Sequence, residues 1–198
     1  MNNPLELVDA IGPLSYWTAM LLAILASLCL SVLATRIQRR GYVMAAAATL
    51  AAAVFLSCFP HSHSFWLLPA LIGIAALGVS VVGGGQAVLF VLAMASRGSV
   101  PDGAHGGILV PAAEASSGAA PHEVLRGGTT IGLFERFATT AAIMAGFPEA
   151  LAVIVAVKGV GRFTELDAAE ARERFIIGTL VSLVWACACG ALFRFVVG

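Results

Sequence analysis

The stretch from Gly127 to Val197, GGTTIGLFERFATTAAIMAGFPEALAVIVAVKGVGRFTELDAAEARERFIIGTLVSLVWACACGALFRFVV, decides how the whole chain is read. It sets ionisable side chains inside segments that are otherwise apolar enough to lie in lipid. A membrane segment tolerates a charge only where a partner, a water-filled cavity or the interface accepts it, so Glu135, Arg136, Lys158 and Arg162 each need an explanation. Composition agrees with lipid as the surroundings. Of the 198 residues 60% are hydrophobic and 11% charged, whereas soluble domains carry about 25% charged residues. Eleven basic and eleven acidic side chains cancel. That balance gives no general attraction for nucleic acid and makes the placement of charge more informative than its amount.

A helix needs about 20 apolar residues, rising about 1.5 Å each, to cross a bilayer. Three such segments lie within the quoted stretch, near Gly128–Phe147, Pro148–Phe163 and Phe175–Val197, and three precede it, near Ser15–Thr35, Tyr42–Phe59 and Phe65–Ser96. The expectation is an all-α, polytopic transmembrane bundle of about six helices. Lys158 and Arg162 shorten the apolar length of the fifth segment, which fits a steep or partly embedded helix. The third is too long for one upright span and too short for two. Gly83, Gly84 and Gly85 at its middle suggest a bend, a break or a helix projecting into the cytoplasm. Between the halves, Gly98 to Arg126 is rich in Gly, Ala, Ser and Pro and is expected to be a cytoplasmic loop with a short helix around Ala112 to Ser117. The chain then divides into an N-terminal three-helix half (1–97), the loop (98–127) and a C-terminal three-helix half with a charged hairpin (128–198).

Threading follows from the arginines. With the amino terminus outside, Arg36, Arg39, Arg40, Arg97, Arg126, Arg136, Lys158, Arg162, Arg172 and Arg174 all fall on the cytoplasmic side, and only Arg194 lies outside. The reverse threading inverts that count, so the positive-inside rule places both termini outside a bacterial cytoplasmic membrane. Glu6 and Asp9 precede the first apolar run with no basic residue before it, unlike a cleaved signal peptide, and the first segment is expected to be retained. Halves of three helices each would have opposite orientations, as in inverted-repeat transporters, although their sequences do not visibly match.

Within this frame the charges form a constellation. Glu135 lies seven residues inside its helix from Gly128, about 10 Å along the axis. Lys158, Arg162 and Glu165 follow one another at spacings of four and three, which stacks them on one helical face. In a hairpin turning at Gly146, Phe147 and Pro148, Glu135 and Lys158 come to similar depth and pair. Arg136, rotated about 100° from Glu135, faces another neighbour or the headgroups. The structural explanation is that long basic side chains snorkel to the interface while Glu135 neutralises one of them. The functional explanation is a proton, ion or anionic-headgroup site at the inner mouth of the bundle. Arg172 and Arg174 are expected to anchor the sixth helix at anionic lipid headgroups.

Small residues indicate how the helices touch. Ala19, Ala23, Ser27, Ser31 and Thr35 recur every fourth residue in the first segment. Gly178, Ser182, Ala186 and Gly190 do the same in the sixth, and Gly128 and Gly132 continue the theme in the fourth. Such stripes let backbones approach closely where lipid supplies no hydrophobic drive, and packing within the chain is expected ahead of a seam to a second copy or a membrane-complex partner. No metal or cofactor is expected. Cys58, His61 and His63 lack a specified third ligand, and His105 and His122 are isolated in the loop. The Gly-Ala-His-Gly-Gly run there lacks the lysine and hydroxyl of a phosphate loop. Cys29, Cys58, Cys187 and Cys189 are taken as small buried hydrophobes, and Tyr16, Trp17, Phe65 and Trp66 as interfacial aromatics.

Gly128-x-x-Ile131-Gly132-x-x-Glu135-Arg136, then Ala156-x-Lys158 with Arg162-Phe163-x-Glu165-Leu166, then Ile177-Gly178-Thr179-Leu180-x-Ser182 resembles the carboxy-terminal part of an uncharacterised family of small bacterial integral membrane proteins. The resemblance covers about residues 127–197, and Phe134 stands where leucine is more usual before the Glu-Arg pair. It implies membrane location and an interest in the charged positions, and no mechanism. The functional expectation is a small transporter or channel-like unit. Glu135 serves as its titratable or cation-attracting group, Lys158 as the charge partner, and Arg136 and Arg162 as anion or headgroup contacts, with Glu165 completing the face. The rival is an accessory or scaffold subunit of a membrane complex. An enzyme is disfavoured, since no nucleophile–base pair, acidic metal cluster or cofactor motif stands out.

Overall fold

The computed structural model describes residues 4–59, 67–95, 108–110, 122–124, 128–162 and 169–198, with side-chain surroundings given within 15–59, 67–95, 128–161 and 172–198. Six helices carry the fold: α1 Pro4–Ile37, α2 Arg40–Ser57, α3 Leu67–Ala95, α4 Gly128–Met144, α5 Ala150–Arg162 and α6 Ala169–Val197. Four stretches, Ser15–Ile37, Arg40–Ser57, Leu67–Ala95 and Arg172–Val197, are long and apolar enough to cross a membrane. The protein is a multi-pass membrane protein by helix length and hydropathy. At 17 and 13 residues, α4 and α5 rise only about 25 and 20 Å, short of the hydrocarbon thickness of about 30 Å.

The turns are built from local chemistry. α1 ends where Gln38 takes a left-handed φ of 53° and its N–H reaches back to the Ala34 carbonyl at 3.0 Å. Glycine would adopt that conformation without the Cβ penalty, so Gln38→Gly should raise the thermal midpoint in detergent, by an amount worth about 0.5–1 kcal/mol. α4 ends in a Schellman turn. Gly146 has a φ of +84°; its N–H donates to Ile143 O at 3.0 Å, and that of Phe147 to Ala142 O at 2.8 Å. Pro148 then starts the return into α5.

Side-chain contacts give the relative directions of α1, α2, α3, α4 and α6. Tyr16 Oη donates to Leu56 O at 2.9 Å and Ser27 Oγ to Ala46 O at 2.9 Å, so α1 and α2 run antiparallel. Gly78 faces Leu28 and Gly83 faces Ser31, so α1 and α3 run parallel. Phe193 packs on Gly73, Trp185 on Gly83 and Val88 on Gly178, which makes α3 antiparallel to α6. Thr140 meets Ala186, and Ile143 packs on Gly190, so α4 runs parallel to α6. Alternate helices therefore point opposite ways, as the hydropathy count requires. The bundle is centred on α3, whose main neighbours are α6, α1 and α4, while among the described residues α5 packs principally on α4. Met20, Ile24, Ile72, Val79, Cys189 and Leu192 fill the core with no exposure.

Four expectations change. α3 is one uninterrupted helix through Gly83, Gly84 and Gly85: the glycines make room for neighbouring side chains instead of breaking the backbone. The loop contains an antiparallel ribbon, β1 Ile108–Val110 with β2 His122–Val124, pairing Ile108 with Val124. Its three-residue strands are too short for an alternation pattern to announce them. Trp17 is buried rather than interfacial, held edge-on by Tyr16 with ring centroids 5.8 Å apart. Cysteine burial holds fully for Cys189 alone, with Cys29 and Cys58 on the outer surface, where lipid can cover a thiol. Ala112 to Ser117, His61, His63, His105, Phe65 and Trp66 lie outside the described residues.

Candidate functional site

Three helices bring polar groups together at mid-height. Val81 is the middle residue of the 29-residue α3, and Trp185 lies midway along Arg172–Val197. At this level α4 presents Gly132, Arg136, Thr139 and Thr140 inward. Residues 132, 136 and 139–140 return to one face of a helix after each turn, and here that face is polar or small. The Arg136 side chain crosses to α3, where Nε and Nη2 donate to Val81 O at 3.3 and 3.2 Å.

The slot that admits this guanidinium is lined by glycine. A Cβ on Gly84 would overlap Arg136 Cδ and lie 3.1 Å from Trp185 Cδ1, and one on Gly132 would sit 3.0 Å from Arg136 Nη1. A Cβ on Gly83 would meet Ser31 Oγ at 2.6 Å and Trp185 Cζ2 at 2.7 Å. The triplet that looked like a hinge is a docking notch.

Around the notch runs a chain of hydroxyls. Ser80 Oγ lies 2.6 Å from Thr140 Oγ1, which donates to Ala186 O at 3.1 Å. With the Thr140 proton directed to α6, the Ser80 proton bridges to Thr140, and one hydrogen-bonded line ties α3, α4 and α6. Trp185 Nε1 adds a bond to Val79 O at 3.0 Å. Thr140→Val keeps the shape and removes the link; the expected cost is about 1 kcal/mol, read as a lower midpoint on denaturing in detergent.

On the other side of α4, Glu135 forms an ion pair with Lys158 of α5. Both side chains are mostly buried, with 13% and 17% exposure. Lys158 Nζ also lies 5.6 Å from the Phe175 ring centroid, and Phe175 is near the beginning of α6. The pair thus sits toward the end of the bundle where α6 starts, and Arg136 lies deeper. Two helix positions of consecutive number diverge by about 100° and serve different neighbours.

The remaining expected site residues divide by position. Arg162 closes α5, but its side chain and Glu165 lie outside the described residues. Arg172 is exposed and Arg174 half-buried near the start of α6. Gly132, Ser182 and Gly190 are buried, and Ile143 lies 2.8 Å from where a Gly190 Cβ would be. Gly178 faces Val88, and Gly128 is the first residue of α4. Gly178 and Gly190 thus face other helices of the chain. Ser80, Thr140 and Trp185 were not singled out in the sequence; Ser80 had the glycine triplet one turn away as a signal, and Thr140 and Trp185 had none. Among the described residues no group of three metal-ligating side chains occurs. Comparison with family models, curated proteins and solved structures finds no match.

Proposed function

We propose that this chain is a small transporter or channel-like unit of the bacterial cytoplasmic membrane, working through the Glu135, Arg136 and Lys158 cluster. The observation that carries the reading is the depth of the charge. A guanidinium 5% exposed sits level with the middle of two spanning helices, and an ionisable group there is costly enough that function is its usual explanation. Buried ion pairs are poor net stabilisers, so fold stability alone is a weak reason to keep Glu135 and Lys158 in place. In this reading Glu135 is the titratable group, Lys158 its counter-charge, and Arg136 with Arg162 the anion contact. Arg172 and Arg174 hold the inner end of α6 at anionic headgroups. Both termini face outside.

The test is proton entry into proteoliposomes carrying an entrapped pH dye. Glu135→Gln with Lys158→Met removes both charges of the pair together, so that neither is left without its partner. Wild-type protein should pass protons down an imposed gradient and the paired variant should not; equal rates would remove the pair from the mechanism.

A second reading, an accessory subunit, is supported by α5. Its Val153, Val157 and Val160 are 63%, 68% and 79% exposed, and a Cβ at Gly161, at the edge of that face, meets nothing within 4 Å. A partner helix could approach there closely. Purification with a constant partner that is lost on Gly161→Leu would favour it.

A further inference from the structure

We infer that Arg136 holds a small monovalent inorganic anion of the halide class at mid-height between α3, α4 and α6. This inference rests on the cluster being a substrate site and names the class of substrate. The first ground is unspent hydrogen-bonding capacity. A guanidinium has five N–H donors in a fixed fork, and among the described residues Arg136 meets one acceptor, the Val81 carbonyl, with Nε and Nη2. Nη1 points toward Gly132, where no side chain intervenes. The second is charge. Among the described members of the cluster, two cations, Arg136 and Lys158, share one carboxylate, Glu135, which is ion-paired with Lys158 and also adjoins Arg136 electrostatically, so the described cluster carries a net single positive charge. A single anion neutralises it, whereas a divalent one would overshoot.

The third ground is size and depth. Glycines at 84, 85 and 132 let the fork sit against backbone, and a Cβ at Gly85 would already come within 3.5 Å of Nη2. A lipid headgroup would have to leave the interface to reach this depth, whereas a small ion carries no chain that holds it there.

The test is equilibrium binding of radiolabelled chloride to the full chain in detergent. Folded wild-type protein should bind chloride saturably and stoichiometrically, with displacement by bromide and not by gluconate. Arg136→Gln should abolish the binding. Arg136→Lys, which keeps the charge and loses the fork, should weaken it about tenfold and serves as the readable variant if the glutamine protein does not fold. Arg194→Gln, at the opposite end of α6, should leave it unchanged. Absence of saturable chloride binding by folded wild-type protein, or full binding by either Arg136 variant, overturns the inference. Stoichiometric binding by a protein whose proteoliposomes pass neither protons nor chloride supports the anion site and overturns transport.

Discussion

Gly84→Val should leave little folded protein in detergent, with a loss of about 3 kcal/mol or more in any fraction that folds. The new Cβ would occupy the space of Arg136 Cδ and press on Trp185 Cδ1 from 3.1 Å, and neither neighbour can easily give way. The Arg136 fork is tied to Val81 O and the Trp185 indole to Val79 O. Moving either leaves a polar group unpaired in a low-dielectric interior. Overpacking of a tight core commonly costs about 1–3 kcal/mol, and loss of a buried hydrogen bond adds to that. The comparison is Gly159→Ala on α5, where nothing lies within 4 Å of the added methyl. That change should be neutral or raise stability by about 0.5–1 kcal/mol through helix propensity. Equal midpoints for the two variants in a detergent unfolding series would show that α3 and α4 do not pack as described.

The second large effect is expected at the ion pair, and it is non-additive. Glu135→Gln alone leaves the Lys158 ammonium inside the hairpin with its counter-charge gone, and Lys158→Met alone strands the carboxylate. Each should destabilise by about 3–5 kcal/mol, the range for breaking a buried pair from one side. Made together, the two changes should cost no more than about 1 kcal/mol, because neutral side chains of similar volume carry no desolvation penalty. A double-mutant cycle measured by chemical denaturation in detergent reads the coupling directly. Additive single losses would mean that the two side chains do not interact in the membrane-embedded protein. The pairing of a cooperative stability cycle with loss of proton flux in the doubly substituted protein separates a working site from a simple brace, since a brace replaced by neutral packing would keep its flux.

Much of this architecture is legible without coordinates because the period and length of apolar runs are local properties. Six helices, the hairpin turn at Gly146 to Pro148 and the Glu135–Lys158 pairing all follow from counting along the chain and from equal depth on two antiparallel helices, although counting took all six as spans and, among the described residues, only four are long and apolar enough to cross. Arg136 was legible only in part. Helix geometry turns it away from Glu135, but no spacing rule says that α3 will be its neighbour. The loop's ribbon was invisible because strands of three residues have no period to detect.

The sequence by itself determined that lipid surrounds this protein and how its apolar segments are divided, since those depend on burial preferences summed over each segment. Only the tertiary structure decided that Gly83, Gly84 and Gly85 form a notch in a continuous helix, that Arg136 crosses into it at mid-height, and that Ser80, Thr140 and Ala186 link three helices there. The physical reason is that a close approach between helices depends on side chains from distant parts of the chain, Ser31, Arg136 and Trp185, arriving at the same turn of α3. A glycine's missing Cβ carries no mark of what will occupy its place.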